Sequence, residues 1–177
     1  MKNIFLTGEV GVGKSTVISK VLSQLPQVIC GGFRTVSAMP IIGGNLLEVY
    51  IEKAWEETPH DADHMVGTRL GHGRLTSYPQ TFDTVGTSIL FATPTDATLI
   101  LMDELGLMED SAKLFRQAVM DVLDGTLPVL GVIKPKRTEF LDAIRMRQGS
   151  EVIEVTLENR DELPARIAEL LSGIGLT

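Results

Sequence analysis

The sequence predicts an α/β fold in which a mostly parallel sheet is covered by helices on both faces. Two observations support this prediction. Short apolar runs alternate with amphipathic helical patterns along much of the 177 residues, which is typical of βαβ units. The first apolar run, Ile4–Leu6, leads directly into a glycine-rich stretch and then a helical pattern. The length suits one domain, residues 1–177, with an irregular or β insertion at about 33–80.

The first elements predicted along the chain are a strand, a helix and a second strand. Asn3–Thr7 is short and apolar, and glycine follows it, as expected for a buried strand. A helix is expected from Lys14, because apolar residues then recur at helical spacing until Pro26 ends the pattern. A second strand begins at Val28–Cys30, and we expect Gly31-Gly32 to interrupt or bend it.

The middle of the chain predicts an antiparallel hairpin and then an insertion with little periodicity. Phe33–Ala38 and Leu46–Ile51 both have extended patterns, and turn-forming residues lie between them. Residues 53–80 are polar and rich in glycine, so we expect irregular structure that allows short strands. Thr81–Ala92 has a helical pattern, which Gly86 weakens.

The second half of the chain again alternates strands with helices. Gly125 should stop the longest helix, and Asn159 with Glu162 fits a capping box for the last one, although Pro164 favours a later start. The predicted elements are a strand at Leu99–Met102, a helix at Glu109–Leu123, a strand at Pro128–Ile133, a helix at Thr138–Met146, a strand at Val152–Val155 and a helix at about Arg160–Leu171.

The composition argues against several classes of partner. The net charge is −7 and the pI about 5.0, whereas a nucleic-acid-binding surface is basic. No apolar run reaches membrane-spanning length, and we find no signal-peptide pattern. The single cysteine, Cys30, excludes an intrachain disulfide and is expected to be a buried structural thiol. We therefore expect a cytoplasmic protein without nucleic acid or membrane as a partner; the sequence identifies no protein partner.

The glycine-rich stretch matches G-x-x-x-x-G-K-[ST], the phosphate-binding loop, or P-loop. Its backbone N–H groups point at phosphate oxygens, and the helix that follows adds its positive dipole end. Lys14 would contact the β- and γ-phosphates, and the Ser15 hydroxyl would bind Mg²⁺. The predicted nucleotide-binding residues are Gly8, Glu9, Val10, Gly11, Val12, Gly13, Lys14, Ser15 and Thr16.

Two adjacent carboxylates end the strand at Leu99–Met102. Asp103 has the position of a Walker B aspartate, which would hold Mg²⁺ opposite Ser15. Glu104 would polarise a water and align it on the γ-phosphorus, so we expect Lys14 and Glu104 to be catalytic. This arrangement favours hydrolysis over transfer to another substrate.

Other polar residues have less definite roles. The transition state needs a further counter-charge, for which the candidates are Arg34, Arg69, Arg74, Lys134 and Lys136. The run His60-Asp61-Ala62-Asp63-His64 fits either a metal site or a solvated loop, and we favour the loop. Trp55 and Tyr78 fit base stacking, but packing is the favoured interpretation for each.

Together these motifs resemble the small P-loop nucleoside-triphosphatase family found in thermophiles, which includes the human cancer-related nucleoside-triphosphatase. The matches include Phe5–Gly8 leading into the P-loop, and Gly32-Phe33 with Thr35. The most specific match is Asp103-Glu104-Leu105-Gly106-x-Met108-Glu109, and Glu158-Asn159-Arg160 closes the series.

The resemblance implies a three-layer P-loop NTPase with a RecA-like sheet and a small β insertion. It implies Mg²⁺-dependent hydrolysis of ATP, GTP or other nucleoside triphosphates, with broad base choice, slow turnover and Glu104 as the water-activating group. Asn159 and Arg160 are candidates to reach the base. This chain departs from the family at Leu107, where lysine is frequent, and at Val132, which replaces a hydroxyl residue. The family's acidic residue soon after Thr35 is absent.

Two alternative functions remain open at this point. A P-loop kinase would need an acceptor site and a basic lid, for which the stretch from Lys134 to Arg147 offers cations. A nucleotide-gated binding protein would use hydrolysis to time a partner interaction, with residues 53–80 as the partner surface.

Overall fold

The structure is a computed structural model, and it describes residues 3–39, 46–70 and 74–176. The strands are β1 (Asn3–Thr7), β2 (Cys30–Ala38), β3 (Leu46–Lys53), β4 (Met65–Leu70), β5 (Arg74–Ser77), β6 (Leu99–Leu105), β7 (Val129–Ile133) and β8 (Ser150–Glu154). The helices are α1 (Lys14–Ser23), α2 (Pro79–Thr81), α3 (Thr87–Phe91), α4 (Lys113–Asp124), α5 (Glu139–Met146) and α6 (Leu163–Ser172), and a π-helical turn at Phe82–Gly86 joins α2 to α3.

All eight strands belong to one sheet, in the order β5-β4-β3-β2-β6-β7-β1-β8. The pairs β2·β6, β6·β7, β7·β1 and β1·β8 are parallel. Strands β3, β4 and β5 extend the edge at β2 in an antiparallel manner. The predicted α/β fold, with a mostly parallel sheet and a small antiparallel insertion, is therefore confirmed.

The sheet lies between two hydrophobic cores, which gives the three layers. On one face, α1 and α6 cover the sheet through side chains such as Val21 and Ile167. On the other face, α4, α5 and the α2–α3 segment pack around Phe115. Strands β1, β6 and β7, in the interior of the parallel part, are covered on both faces, which explains their almost continuous apolar sequences.

The predicted hairpin is confirmed as β2 and β3, with Phe33 opposite Lys53 and Ala38 opposite Glu48. The turn predicted between these strands falls on residues 40–45, which lie outside the described residues. Much of the segment 53–80 belongs to the sheet, because β4 pairs with β3 and β5 pairs with β4. The short strands allowed by the sequence are therefore present in that segment.

The sequence predicts that Gly31-Gly32 interrupts or bends the second strand, and the interruption is wrong. Strand β2 runs through both glycines, which pair with Ile100 and Leu101 of β6. A Cβ atom on Gly32 would lie 2.1 Å from the carbonyl oxygen of Leu101. The glycines therefore permit close approach of two parallel strands and do not mark a turn.

Two helices begin later than predicted. Helix α4 starts at Lys113 and not at Glu109, because residues 108–111 form turns in which Glu109 is buried. Helix α6 starts at Leu163, with Pro164 in its first turn, so the later start favoured by Pro164 is confirmed. The capping box is wrong, because the Asn159 side chain accepts from the Thr156 N–H at 2.8 Å and donates to the Glu154 carbonyl.

The helix predicted at Thr81–Ala92 is confirmed as part of α2, the π-helical turn and α3. Gly86 lies in the π-helical turn, where it contacts Phe115 closely. Among the described residues, no helix is both long enough and apolar enough to cross a lipid bilayer.

Candidate active site

The P-loop lies between the end of β1 and the start of α1, at the carboxyl edge of the parallel strands. Gly8, Gly11 and Gly13 have φ angles of 137°, 80° and 109°, which only glycine adopts readily. No side chain caps the first turn of α1. The free amides and positive dipole end of this ten-residue helix are therefore available to an anion.

Lys14 is held inside this loop. Its side chain is buried, with the residue only 8% exposed, and Nζ donates to the carbonyl oxygens of Gly8 at 2.9 Å and Glu9 at 2.8 Å. The ammonium group therefore occupies a fixed position in the loop.

Asp103 lies near the end of β6, where its carboxylate is hydrogen-bonded to Ser15. Burial and the neighbouring Glu104 charge raise the pKa of Asp103 to about 6, while the bond to Ser15 and the charges of Arg34 and Lys14 oppose the shift. A hydroxyl and a carboxylate are both oxygen ligands, and Mg²⁺ takes few ligands from the protein when phosphates supply the rest. This pair of side chains therefore fits the expected magnesium site.

A cavity of about 340 Å³ lies in front of the P-loop. It gathers residues from four parts of the chain: the P-loop, β4, β6 and the residue after β7. Its lining residues are Val10, Gly11, Gly13, Lys14, Ser15, Thr16, Arg69, Glu104 and Lys134. The structure thus brings both predicted catalytic residues, Lys14 and Glu104, to the same cavity.

Two of the five candidate counter-charges line this cavity. The Lys134 ammonium lies 2.9 Å from Glu104 Oε1, and Arg69 reaches the cavity from β4. The other three candidates do not line the cavity. Arg34 pairs with Glu52 at 3.8 Å, although its charge also acts on Asp103, and Arg74 and Lys136 are exposed. Val132, at the position of the family's hydroxyl residue, is buried and only 1% exposed.

A second cavity, of about 280 Å³, adjoins the first because both are lined by Gly13 and Thr16. Its other lining residues include Val17, Lys20, Arg160 and Asp161. Arg160 therefore lies beside the P-loop. The Asn159 amide does not line this cavity, and both of its polar atoms bind the backbone of residues 154 and 156.

The weaker metal hypothesis at His60–His64 has no support in the geometry. His60 pairs with Glu52 and stacks on Tyr50, while His64 pairs with Asp61. The part of the chain that the structure describes contains no group of three His, Cys, Asp or Glu residues placed to hold a metal ion. Trp55 packs against the core and lies near the Lys53 ammonium, and neither Trp55 nor Tyr78 lines the two cavities.

Reasoning from the sequence missed the burial of Glu109. This residue is only 2% exposed, and its carboxylate accepts a hydrogen bond from the Gly106 N–H. Burial raises the pKa of Glu109 to about 7, although the Gly106 bond and the Lys134 charge act in the opposite direction. The sequence signal for this burial is an acid inside the motif that begins at Asp103, at the position where a helix was predicted to start.

The backbone beside Glu104 is tied to β2 as well. The Glu104 N–H donates to Thr35 Oγ1 at 3.2 Å. A small polar cavity of about 60 Å³ behind Glu104 is lined in part by Thr35, Ser37 and Glu109. A cavity of this size and polarity is large enough to hold water.

Comparison with known proteins agrees with this geometry. A family model described as NTPase matches residues 3–168. The chain belongs to the NTPase family. The resemblance drawn from the motifs is therefore confirmed, and the match covers nearly the whole chain.

Relatives of this NTPase have similar lengths and folds. The nucleoside-triphosphatase THEP1 of Methanosarcina acetivorans is 32% identical over 170 residues, which cover 94% of this chain and 95% of that protein. The crystal structure of THEP1 from the hyperthermophile Aquifex aeolicus has a TM-score of 0.69 and 25% identity, covering 96% of this chain and 98% of that one. The solution structure of a human cancer-related nucleoside triphosphatase has a TM-score of 0.68 and 26% identity, covering 98% of both chains.

Proposed function

We propose that this NTPase hydrolyses nucleoside triphosphates to diphosphate and phosphate in a Mg²⁺-dependent reaction, with broad base choice and slow turnover. One observation carries the proposal: Lys14, Ser15 and Glu104 line a single cavity, and Asp103 is hydrogen-bonded to Ser15 at its edge. A reducing, cytoplasmic setting is part of the proposal and is supported by the single cysteine.

The P-loop holds the triphosphate in this mechanism. Its backbone amides and the start of α1 bind phosphate oxygens, and Lys14 neutralises charge on the β- and γ-phosphates. Ser15 and Asp103 would hold Mg²⁺, which supplies charge neutralisation at the β- and γ-oxygens when bound. These interactions orient the γ-phosphoryl group towards Glu104.

Glu104 then acts on the attacking water. Its carboxylate accepts a hydrogen bond from the water and takes the proton as the water oxygen bonds to the γ-phosphorus. The bond between the γ-phosphorus and the β,γ-bridging oxygen breaks, and the nucleoside diphosphate leaves with that oxygen. Lys14 stabilises the charge that develops on the leaving phosphate.

The second cavity is the proposed site of the nucleoside. A triphosphate bound at Thr16 would project its ribose and base towards Arg160, because the two cavities adjoin there. A guanidinium group stacks on the face of any base, which agrees with broad base choice. Asn159 supports the loop that carries Arg160.

A kinase has less support from the geometry. A kinase lid needs free cations over the phosphates, but two arginines of the basic stretch are engaged elsewhere. Arg145 pairs with Asp142 and donates to the Lys134 carbonyl, and Arg147 pairs with Asp124.

Phosphate release by the variant Glu104→Gln tests the proposed hydrolysis. We expect wild type to release phosphate from ATP and GTP with Mg²⁺ and not with EDTA. The variant should retain ADP binding while its kcat falls by about 100-fold or more, because a positioned general base contributes that much. Glu169→Gln is the matched control, since Glu169 is exposed on α6. Equal rates in wild type and Glu104→Gln would contradict the role of Glu104.

A further inference from the structure

Lys134 is held in place by its own backbone. Its N–H donates to the Leu105 carbonyl at 2.9 Å, directly after β7. Its carbonyl oxygen accepts from the Arg145 guanidinium at 2.7 Å and from the Lys136 N–H at 2.7 Å. Because Arg145 also pairs with Asp142, helix α5 fixes the position of Lys134 relative to β6.

The Lys134 side chain is also held in one direction, towards Glu104. Its stem lies across Gly106, where an added Cβ atom would be 2.7 Å from Lys134 Cδ. The ammonium group lies 2.9 Å from Glu104 Oε1, and the side chain is only 21% exposed. The chain thus places a half-buried cation beside the proposed water-activating carboxylate.

The reaction requires a cation at this position. Negative charge spreads over the three γ-phosphoryl oxygens in the transition state, and many NTPases receive an additional arginine for it, in cis or from a partner. Lys14 donates two hydrogen bonds to loop carbonyls. Of the other cations that line the cavity, Lys134 is the one bonded to Glu104. A water held by Glu104 has to lie about 3–3.5 Å from the γ-phosphorus, so the Lys134 ammonium would be within reach of a γ-oxygen.

We propose that Lys134 is this chain's own counter-charge for the γ-phosphoryl group, supplied in cis by the residue after β7. The inference rests on the proposed hydrolysis at the same site. Lys134 bonds a γ-oxygen in the transition state and keeps Glu104 turned towards the water. Hydrolysis then needs no arginine from a second molecule, so specific activity should not depend on protein concentration.

Three variants separate charge from packing. Lys134→Met keeps the stem over Gly106 and removes the charge, and Lys134→Arg restores a charge. Gly106→Ala leaves Lys134 chemically intact but displaces its side chain. Lys136→Ala is the matched control, because Lys136 is exposed two residues away.

The first measurement is steady-state phosphate release from Mg·ATP. We expect kcat to fall by about 100-fold in Lys134→Met, as for loss of one transition-state donor, with partial recovery in Lys134→Arg. Gly106→Ala should also lower kcat, while Lys136→Ala should match wild type. The KM for ATP should change much less than kcat, because the contact strengthens in the transition state.

The second measurement does not depend on turnover. ADP with aluminium fluoride and Mg²⁺ mimics the transferring γ-phosphoryl group, so Lys134→Met should bind ADP as wild type does but lose affinity when fluoride is added. In a Glu104→Gln background, Lys134→Met should still weaken this complex, since Lys134 contacts the γ-group directly. Thermal melts show whether each variant is folded. If Lys134→Met does not fold, the same measurements on Lys134→Arg and Gly106→Ala test the proposal.

The possible results distinguish failure of the role proposed for Lys134 from failure of the proposed hydrolysis. Wild-type kcat and wild-type affinity for ADP with aluminium fluoride in Lys134→Met would overturn the role of Lys134. If Lys134→Met weakens binding of ADP with aluminium fluoride in the wild-type background but not in the Glu104→Gln background, Lys134 acts only by supporting Glu104. That result would also overturn a direct contact between Lys134 and the γ-phosphoryl group. If wild type releases no phosphate from any nucleoside triphosphate, the proposed hydrolysis fails, and the aluminium fluoride measurement still decides whether Lys134 faces the γ-group.

Discussion

The carboxyl group of Glu109 combines deep burial with a structural hydrogen bond. It accepts from the Gly106 N–H in the loop that follows Glu104. Burial raises its pKa from an ordinary value of 4.5 to about 7, with Lys134 lowering it and Glu104 raising it. The folded protein therefore binds this proton more tightly than the unfolded chain does.

This shift predicts how stability depends on pH. Below about pH 4.5 the group is protonated in both states, and its contribution is fully present; it is lost as pH rises through about 7. Glu109→Gln keeps an acceptor for Gly106 and removes the titration. Between about pH 5 and about pH 8, wild type should lose about 2 kcal/mol of unfolding free energy relative to the variant.

Urea denaturation of the nucleotide-free protein at several pH values checks this expectation. Glu151→Gln serves as a control, because Glu151 lies at the edge strand β8 and is paired only loosely with Arg166 at 3.8 Å. A parallel pH dependence of stability in wild type and Glu109→Gln would show that the Glu109 pKa is not raised.

At the scale of single residues, the sequence predicts the placement of those residues whose arrangement depends only on their spacing along the chain. The P-loop residues are adjacent in the chain, so their arrangement in one loop follows from the motif and from the glycine φ angles. The partners of Asn159 and the burial of Glu109 depend on contacts made only in the folded chain. Asn159 had two plausible uses, and the structure shows a third, in the loop between β8 and α6.

At the scale of single elements, helix α4 shows why its start was predicted too early. The sequence before Lys113, Glu109-Asp110-Ser111-Ala112, contains no glycine or proline that would stop a helix, and no local side chain caps α4. The cap comes from the π-helical turn: Asp83 Oδ1 accepts from the Leu114 N–H at 2.8 Å and from the Phe115 N–H at 3.0 Å. A cap from a residue about 30 positions away leaves no local signal.

Asp83→Ala should therefore destabilise the fold although Asp83 belongs to another helix. We expect a loss of about 1–2 kcal/mol, the usual cost of removing a helix cap. Asp83→Asn is the matched variant, because it keeps the carbonyl acceptor and should recover most of the loss. Chemical denaturation measures both effects. Equal stability of wild type and Asp83→Ala would contradict the capping role.

The strands illustrate the same division between local and tertiary information. β1 and β7 are short apolar runs, each followed by a helix, and their bounds follow from the sequence nearly to the residue. β2 was harder to predict, because a glycine pair reads locally as a break. Only the neighbouring strand β6 supplies the reason for glycine at those positions.

Over the whole molecule, the antiparallel strands connect the insertion to the active site. The alternation of strands and helices predicts the parallel part, since βαβ units leave few topologies. It does not predict that β4 carries Arg69 to the cavity in front of the P-loop, because that depends on how the insertion joins the sheet. Arg69 therefore links residues 65–70 to whatever occupies that cavity, which is the proposed site of the γ-phosphate.

This link predicts that the triphosphate, but not the diphosphate, protects the antiparallel strands. Amide hydrogen exchange should slow in the P-loop with either ADP or a non-hydrolysable ATP analogue, because both occupy the loop. It should slow in β4 and its partner β5 mainly with the analogue, since only the γ-phosphate reaches Arg69. Amide exchange proceeds through local opening of the fold, and a ligand that contacts a strand raises the free energy of that opening and slows exchange.

The variant Arg69→Ala identifies the cause of that protection. It should remove the difference between the two nucleotides in β4 and leave protection of the P-loop unchanged. Exchange in β4 that responds equally to ADP and the analogue would show that Arg69 does not sense the γ-phosphate. A nucleotide-gated partner surface on residues 53–80 requires this difference, because a surface that is the same with both nucleotides cannot time an interaction.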